Sequence, residues 1–548
     1  MMLVSPEYPK GEITFYPATD GGISVTFPHQ TYNGEPKDKR PWRTGNLCVA
    51  GPRFDEGVKE PKEADSRLRW HASRLLAWIN AAATDTLLAP GQPTEFPSPP
   101  SYKDGPPGIV VFAEDRNTFE AWQGHVPGGG LVTLVNPTNA PGLWAVQHFR
   151  DTQGNTIRET SWGLRMAGAK GRKPITGMWF TLPDPPTVLP WGLPATWGEM
   201  EDAFRRVADV SVFNSIIENG KLFRTGQRHP ILIGFPTAEL VGEQPVRLHW
   251  EAVWMPVLSH GAVTAKGFRS NERGYRQRDR TLIRADARVE WMPIENWAPD
   301  QLITRGTTLD RNAADQPILL LGAGALGSAV GVALSRAGAH DIMVMDHDLL
   351  IGGNLVRHEL GVGDVCRNKA ERLALRMNDV NPHAKAVGVP LAFPVGMKGR
   401  HERRAQASRV VIDCTGTDKV LDDLAGFAWD GVEDRWFISL SLGWGARRLF
   451  CFASKGTGFP IADFKEHLEE WRGPENATKR EVGAPSWEGV GCWHPVFPAD
   501  GLTTSAMALA AVKFISRVLA GRTPERVFEV HTEHVNVLAS EEEGRAAA

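Results

Sequence analysis

The sequence predicts an α/β fold at the C-terminal end, a smaller α+β piece at the N-terminal end and a mixed piece between them. Three observations carry this. After residue 317 apolar strand patterns alternate with helix patterns, as in a parallel sheet with crossover helices. The chain opens on two alternating strand patterns followed by a helix pattern. Two proline-rich joints, residues 90–108 and 292–317, separate these parts, and 548 residues are too many for one ordinary domain. The expected domains are 1–105, 106–310 and 311–548.

In the first piece "EITFYPA" and "GISVTFP" read as strands joined by "TDGG", and "GNLCVAG" follows a polar loop. From Leu68 to Ala83, the residues Leu68, Ala72, Leu75, Leu76, Ile79 and Ala83 fall at helical spacing and predict the buried face of a helix. The joint at 90–108 is polar and proline-rich. It reads as a linker or an extended wrap, and would serve as a tether for the first domain.

The middle piece has strand-like runs, "GLVTLVN", "PILIGFP" and "VRLHWEAVWMPVL". It also has one long helix pattern from Thr196, with an acidic first turn and Gly220 as its C-cap. Its tryptophans, among 19 in the chain, read as core. Arg269, Arg273, Arg276, Arg278 and Arg280 read as a solvated loop, with an anion- or partner-binding loop as the alternative. No catalytic constellation stands out there.

In the last piece "ILLLG", "DIMVMD", "KAVGVPL", "RVVIDC" and "WFISLSLG" are the expected strands. A late helix, Thr504 to Leu519, is closed by Gly521 and is apolar enough to be buried.

Composition limits the function. The net charge of −3 offers no global basic field, so no nucleic-acid partner is expected. The most apolar run, 319–338, is broken by glycines and Arg336, so no membrane span is expected. The opening "MMLVSPEYPKGE" lacks a basic region followed by an apolar core, so no signal peptide is expected. Five cysteines suit a reducing cytoplasm better than a disulfide scaffold.

The chemistry starts at Gly322-x-Gly324-x-x-Gly327, between an apolar strand and a helix. Such a turn offers backbone N–H groups to a phosphate. By itself it also suits a generic dinucleotide-binding helix start, and Asp346 at the end of the next strand would bind the ribose of NAD or ATP alike. Asn354, Arg357 and Lys369 follow within two dozen residues. NAD gains little from an extra Arg and Lys, whereas expelling pyrophosphate from ATP builds charge that such groups stabilise.

With these residues the last piece resembles the adenylating domain of the ubiquitin-activating enzyme superfamily, the ThiF type, with its Rossmann-like fold. The resemblance implies that Gly322, Gly324, Gly327, Asp346, Asn354, Arg357 and Lys369 bind ATP, with Arg357 and Lys369 also aiding the chemistry. It implies Mg²⁺ on an acidic residue after the fourth strand. In "DCTGTDKV" this is Asp418, or alternatively Asp413. It implies adenylation of the C-terminal glycine-type tail of a ubiquitin-like or similar protein, and a homodimer of adenylation domains. No C-x-x-C pair exists for the structural zinc of many relatives.

The cysteines divide. Cys366, Cys414 and Cys451 read as small buried thiols. Cys492, in the Gly- and Pro-rich "WEGVGCWHPVFPADG" before the last helix, is the candidate thioester cysteine of the activating domain, and resembles the "GC-x-HP" of bacterial fusions. Cys48 ends G-x-L-C, which resembles the active-cysteine motif of the ubiquitin-conjugating fold. The His-Pro-Asn of that family is absent, and "RPW" stands nearby. The whole chain resembles bacterial fusions of a conjugating, a linker and an activating domain, as in CBASS antiphage operons. The resemblance implies a cytoplasmic enzyme that adenylates a protein tail, passes it to Cys492 and then to Cys48, and conjugates it to a target lysine. One rival is an activating enzyme whose N-terminal piece only binds a partner. The other is an NAD-dependent oxidoreductase.

Overall fold

The structure is a computed structural model that describes residues 1–36, 38–49, 59–100, 108–137, 142–167, 173–260, 267–303, 309, 311–483, 487–488, 494–495 and 497–532. The chain forms two compact units. One holds Met1–Ser161 and Gly168–Gln301, and the other holds Trp162–Ala167 and Leu302–Ala548.

In the first unit the N-terminal strands Met2–Val4 and Ile13–Phe15 pair antiparallel. The second expected strand, "GISVTFP", is irregular chain. Leu47 replaces it as a neighbour, donating its N–H to the Phe15 carbonyl at 2.9 Å. The expected helix is present at Ala64–Ala83, but its buried residues are His71, Arg74, Trp78 and Ala81. Leu76 and Ile79, expected inside, are exposed. The reason is amphipathic side chains. The Arg74 guanidinium lies 3.8 Å over the Trp70 ring and donates to the Val49 carbonyl, while His71 meets Glu60 at 2.7 Å. A pattern of apolar letters alone cannot see that face.

A nine-stranded sheet fills the rest of the first unit. One face carries the helices Trp197–Ala208 and Val212–Phe223, packed through Met200, Phe204 and Ile216 onto Met178, Phe180 and Ile231. The other is filled by Trp122, Phe149, Trp179 and Trp250, whose ring centroids stand 4.7–6.3 Å apart, so the expectation that tryptophans build core holds. The single long helix expected here is two. Asp209 adopts a left-handed φ of 53°, and Ser211 caps the second helix through the Asn214 N–H. Gly220 is therefore not a C-cap. It sits inside the second helix, where an added Cβ would lie 3.1 Å from the Arg224 guanidinium. The arginine cluster is also not a loop, since Asn271 caps a helix, Glu272–Leu282, that carries four of the five arginines.

The proline-rich joint is an extended wrap over its described part. Gly91 and Thr94 donate to the carbonyls of Val241 and Glu239, and Val241 donates back to Gln92. Glu95 accepts from the His29 backbone N–H, and Phe96 stacks on His249 at 3.7 Å and 12°. Residues 91–96 are thus held at five points and are not the free tether expected from composition.

The second unit is a seven-stranded sheet in the order Val387–Val389, Ile342–Met345, Ile318–Leu321, Val410–Asp413, Arg435–Leu442, Arg448–Gly456, Arg526–Thr532. The first five pair in parallel, and each of the last two pairs antiparallel with the strand before it, so only Arg448–Gly456 runs against the rest. The all-apolar "ILLL" and "VVI" runs follow from burial on both faces. Helices Ala325–Arg336, Lys369–Val380 and Gly501–Leu519 cover one face. Arg400–Gln406, Asp418–Gly426 and Ile461–Glu469 cover the other. Chain order reverses between Ile318–Leu321 and Val410–Asp413, which is where sheets of this kind bind ligands. Gly501–Leu519 is the one described helix long and apolar enough to cross a membrane. Met507, Ala511, Phe514, Ile515 and Val518 lie in the core, but Leu502 and Leu509 are exposed, so burial is one-sided rather than all round.

Trp162–Ala167 belongs to this second unit through contacts with residues 379–384. Gly163 and Leu164 donate to the carbonyls of Pro382 and Ala384, both at 2.9 Å, Trp162 stacks on His383, and Arg165 pairs with Asp379 at 2.8 Å. A Cβ on Gly163 would stand 2.3 Å from the Ala384 carbonyl oxygen. Gly163→Ala is therefore expected to cost ~1–3 kcal/mol and to lower the melting temperature by roughly 3–10 °C. An unchanged melting curve would show that this docking does not form.

Candidate active site

Two glycines of the turn, Gly322 and Gly327, meet a steric demand, and the third opens the helix. Gly322 adopts φ 86°. Gly324 is the N-cap of the helix Ala325–Arg336. A Cβ on Gly327 would lie 2.0 Å from the Gly322 carbonyl oxygen. Asp346, just beyond the neighbouring strand, accepts the Ala323 N–H on Oδ2 at 2.7 Å and the Asp348 N–H on Oδ1 at 2.8 Å. The carboxylate expected to hold a ribose thus also holds the turn.

Lys369 opens the helix Lys369–Val380 and is buried, with Nζ 3.0 Å from Asp348 Oδ2. Asn368 caps that helix through the Glu371 N–H, and its Nδ2 donates to the carbonyls of Asp346 and Asp348. Asn354 lies in the 3₁₀ segment Gly352–Arg357 and accepts the Ile351 N–H. Arg357, at the end of that segment, donates Nη1 to the carbonyls of Phe497 and Ala499, just ahead of Asp500, the N-cap of Gly501–Leu519. An open cleft of about 370 Å³ is lined there by Ala329, Val356, Arg357, His358, Asp500 and Leu502. The structure therefore links the turn to Asp346 directly and to Lys369 through Asp348, and engages Arg357 with the segment before the last helix.

Of the two acidic residues proposed for Mg²⁺, Asp413 is buried at the end of its strand. It accepts from the Thr415 N–H and hydroxyl and faces the Ser439 hydroxyl, and burial pushes its carboxyl up to about 6. Asp418 is exposed at the first position of its helix. The segment between them touches the turn, with a Cβ on Gly322 falling 3.0 Å from Thr415 Cγ2. A hard cation takes accessible carboxylate oxygen, which Asp418 supplies and Asp413 has committed elsewhere.

Cys48 is exposed, while its neighbours Leu47 and Val49 are buried, so the chain turns the thiol outward between two core anchors. Its N–H donates to the His29 carbonyl at 2.7 Å. His29 has a left-handed φ of 55°, and Glu95 holds it through the backbone N–H and through Nδ1 at 3.0 Å. Burial raises the Glu95 carboxyl and His29 opposes that shift. Cys414 and Cys451 are buried thiols, as expected, and burial raises both. Cys366 is the exception. It is exposed, with φ 63°, in a turn rather than a packed element. Cys492 lies outside the described residues.

A family model described as the Cap2 central linker domain matches residues 85–297, and one described as the ThiF family matches 301–423. The ATP-dependent ubiquitin transferase-like protein Cap2 of Enterobacter hormaechei subsp. hoffmannii (strain UCI 50) is 35% identical over 525 residues, 94% of this chain and 85% of that protein. The chain belongs to the Cap2 family. It is accordingly an ATP-dependent enzyme with a Rossmann-like ThiF domain, and its likeness to bacterial conjugation fusions holds at the level of the family. A second Cap2, from Pseudomonas aeruginosa (strain BWHPSA011 / Pa011), is 27% identical over 158 residues, 27% of this chain and 28% of that protein. Solved structures of E. coli MccB, one with AMPCPP and MccA and one with ATP, are 13% and 12% identical. Each has a TM-score of 0.28 and is matched over 40% of this chain and 64% of its own.

Two residues that hold these segments in place escape a reading by motif, Asn368 and His358. Each acts through a backbone carbonyl in a distant segment, and the sole sequence signal is position, directly before Lys369 and directly after Arg357.

Proposed function

We propose that this member of the Cap2 family adenylates the C-terminal carboxylate of a ubiquitin-like or similar protein with a glycine-type tail. A carboxylate oxygen attacks the α-phosphorus of ATP and pyrophosphate leaves. The Cys492 thiolate then takes the acyl group and AMP leaves. The Cys48 thiolate takes it from Cys492, and a lysine amine of the target takes it from Cys48, each step releasing the previous thiol. The observation that supports this best is the connected set of glycine turn, Asp346, Asp348 and Lys369, which joins a carboxylate and a cation to the N-terminal end of the helix Ala325–Arg336, the kind of terminus that suits a phosphate. The outward Cys48 thiol supports the last transfer over a partner-binding role for the first piece.

Asp418, with Asp413 as the alternative, would hold Mg²⁺. Bound there, the ion would neutralise charge on the phosphates. A homodimer is the assembly we favour, because Val356 and Leu502, 77% and 86% exposed, flank one cleft and are large apolar groups open to water. The four described cysteines are free thiols, which suits a reducing cytoplasm.

Exchange of labelled pyrophosphate into ATP tests the first step. Peptides matching the C-termini of proteins encoded beside this gene serve as probes. At least one is expected to stimulate exchange, and reduction of NAD⁺ is expected to be absent. Exchange that no tail stimulates would overturn the proposed substrate class.

A further inference from the structure

The peptide units around Ala323 lie between two glycines, where rotation meets little steric resistance. The structure fixes them from both ends. The Ala323 N–H donates to Asp346 Oδ2, and the Ala323 carbonyl meets His358 Nε2 at 2.7 Å. A carbonyl can only accept, so Nε2 carries the proton. The other ring nitrogen, Nδ1, accepts the Leu360 N–H at 3.1 Å. Both contacts are satisfied together by one state alone, the neutral ring with its proton on Nε2. A trans peptide points its C=O and N–H in opposite directions. Holding the Ala323 carbonyl therefore aims the Gly324 N–H, at the head of the helix, away from His358.

We propose that His358 is a positioning residue for adenylation, which fixes the phosphate-binding turn through the Ala323 carbonyl and ties it to the segment bearing Arg357. This rests on the ATP-dependent adenylation reading and adds a residue that it does not contain. The surroundings favour the required state. Burial lowers the His358 imidazolium below its usual range, and Lys369 adds to this, against the Ala323 carbonyl, Asp346 and Asp364. Arg357 precedes it in the chain. The sign follows. The folded value lies below the unfolded one, so no penalty exists above the ordinary histidine range near pH ~6.5. Between that range and the lower folded value the native ring stays neutral while an unfolded one takes up a proton, so the penalty grows as pH falls; below the folded value the native ring itself gains an N–H on Nδ1 against the Leu360 N–H.

The test uses the full chain, with pyrophosphate exchange and, separately, calorimetric ATP binding between pH 5.5 and 8.5 (roughly one unit below the ordinary value to two above). His358→Leu keeps the bulk and loses both hydrogen bonds, and is expected to weaken ATP binding about tenfold at pH 8. His358→Gln keeps an N–H donor near Nε2. It is expected to recover most of that loss and to lack the acid limb expected of the wild type. Wild-type ATP affinity in His358→Leu would overturn the inference, as would an unchanged acid limb in His358→Gln. If ATP binding behaves as expected while the wild type shows no exchange, the positioning role stands and the adenylation chemistry fails.

Discussion

Asp346→Ala is expected to reduce pyrophosphate exchange on the order of 10³-fold or more, the scale of losing a preorganised polar group in an active site. Two losses combine. The ribose hydroxyls lose their acceptor, and the Ala323 and Asp348 N–H groups lose the oxygens that fix the turn and the loop leading to Lys369. Asp346→Asn separates them. Its amide can accept one of these bonds but presents a donor at the other, so it should be impaired less than Ala and remain folded. Lys369→Ala and Arg357→Ala are expected to lower kcat more than they raise the KM for ATP, since pyrophosphate charge grows in the transition state. Arg357→Ala should also slow thioester formation, because its guanidinium holds Phe497 and Ala499 a few residues beyond Cys492. Full exchange in Asp346→Ala would remove the ATP site from this turn.

The second large effect concerns the order of the thiols. Cys492→Ala is expected to leave exchange intact and to stop every thioester. Cys48→Ala is expected to leave a reductant-sensitive thioester on the chain and to stop product. Thioester exchange is nearly neutral in energy, so adenylate formation upstream and amine capture downstream set the direction. Geometry is the harder demand, because a thiol misplaced by ~1 Å already costs on the order of 10²-fold. The Cys48 backbone is held by His29, and His29 by Glu95 from a strap tied to residues 239–241 and to His249. Non-reducing gels of both variants with ATP and a stimulating tail peptide read the outcome. Normal product formation by Cys48→Ala would make Cys48 structural and leave an activating enzyme alone.

Much of the second unit was legible in the sequence. Its parallel strands are apolar on both faces, and its glycine turn has a steric reason at Gly322 and at Gly327. Asp346 and Lys369 were found by spacing, and the structure brings them together through Asp348. The outward Cys48 could be placed only through its buried neighbours, which a motif does not display.

The sequence by itself determined where strands and helices alternate, where the glycine turn falls and which acidic and basic residues follow it. These depend on local sterics and on apolar runs that burial on two faces demands. Tertiary structure alone decided the rest. It turned the helix Ala64–Ala83 onto His71, Arg74 and Trp78, set Cys366 in an exposed turn through its N–H to the Leu350 carbonyl, and anchored residues 91–96. It also clamped Ala323 between Asp346 and His358, 23 and 35 residues away. Each of these depends on a polar group meeting a partner far along the chain, and hydrogen bonds of that kind leave no periodicity to read.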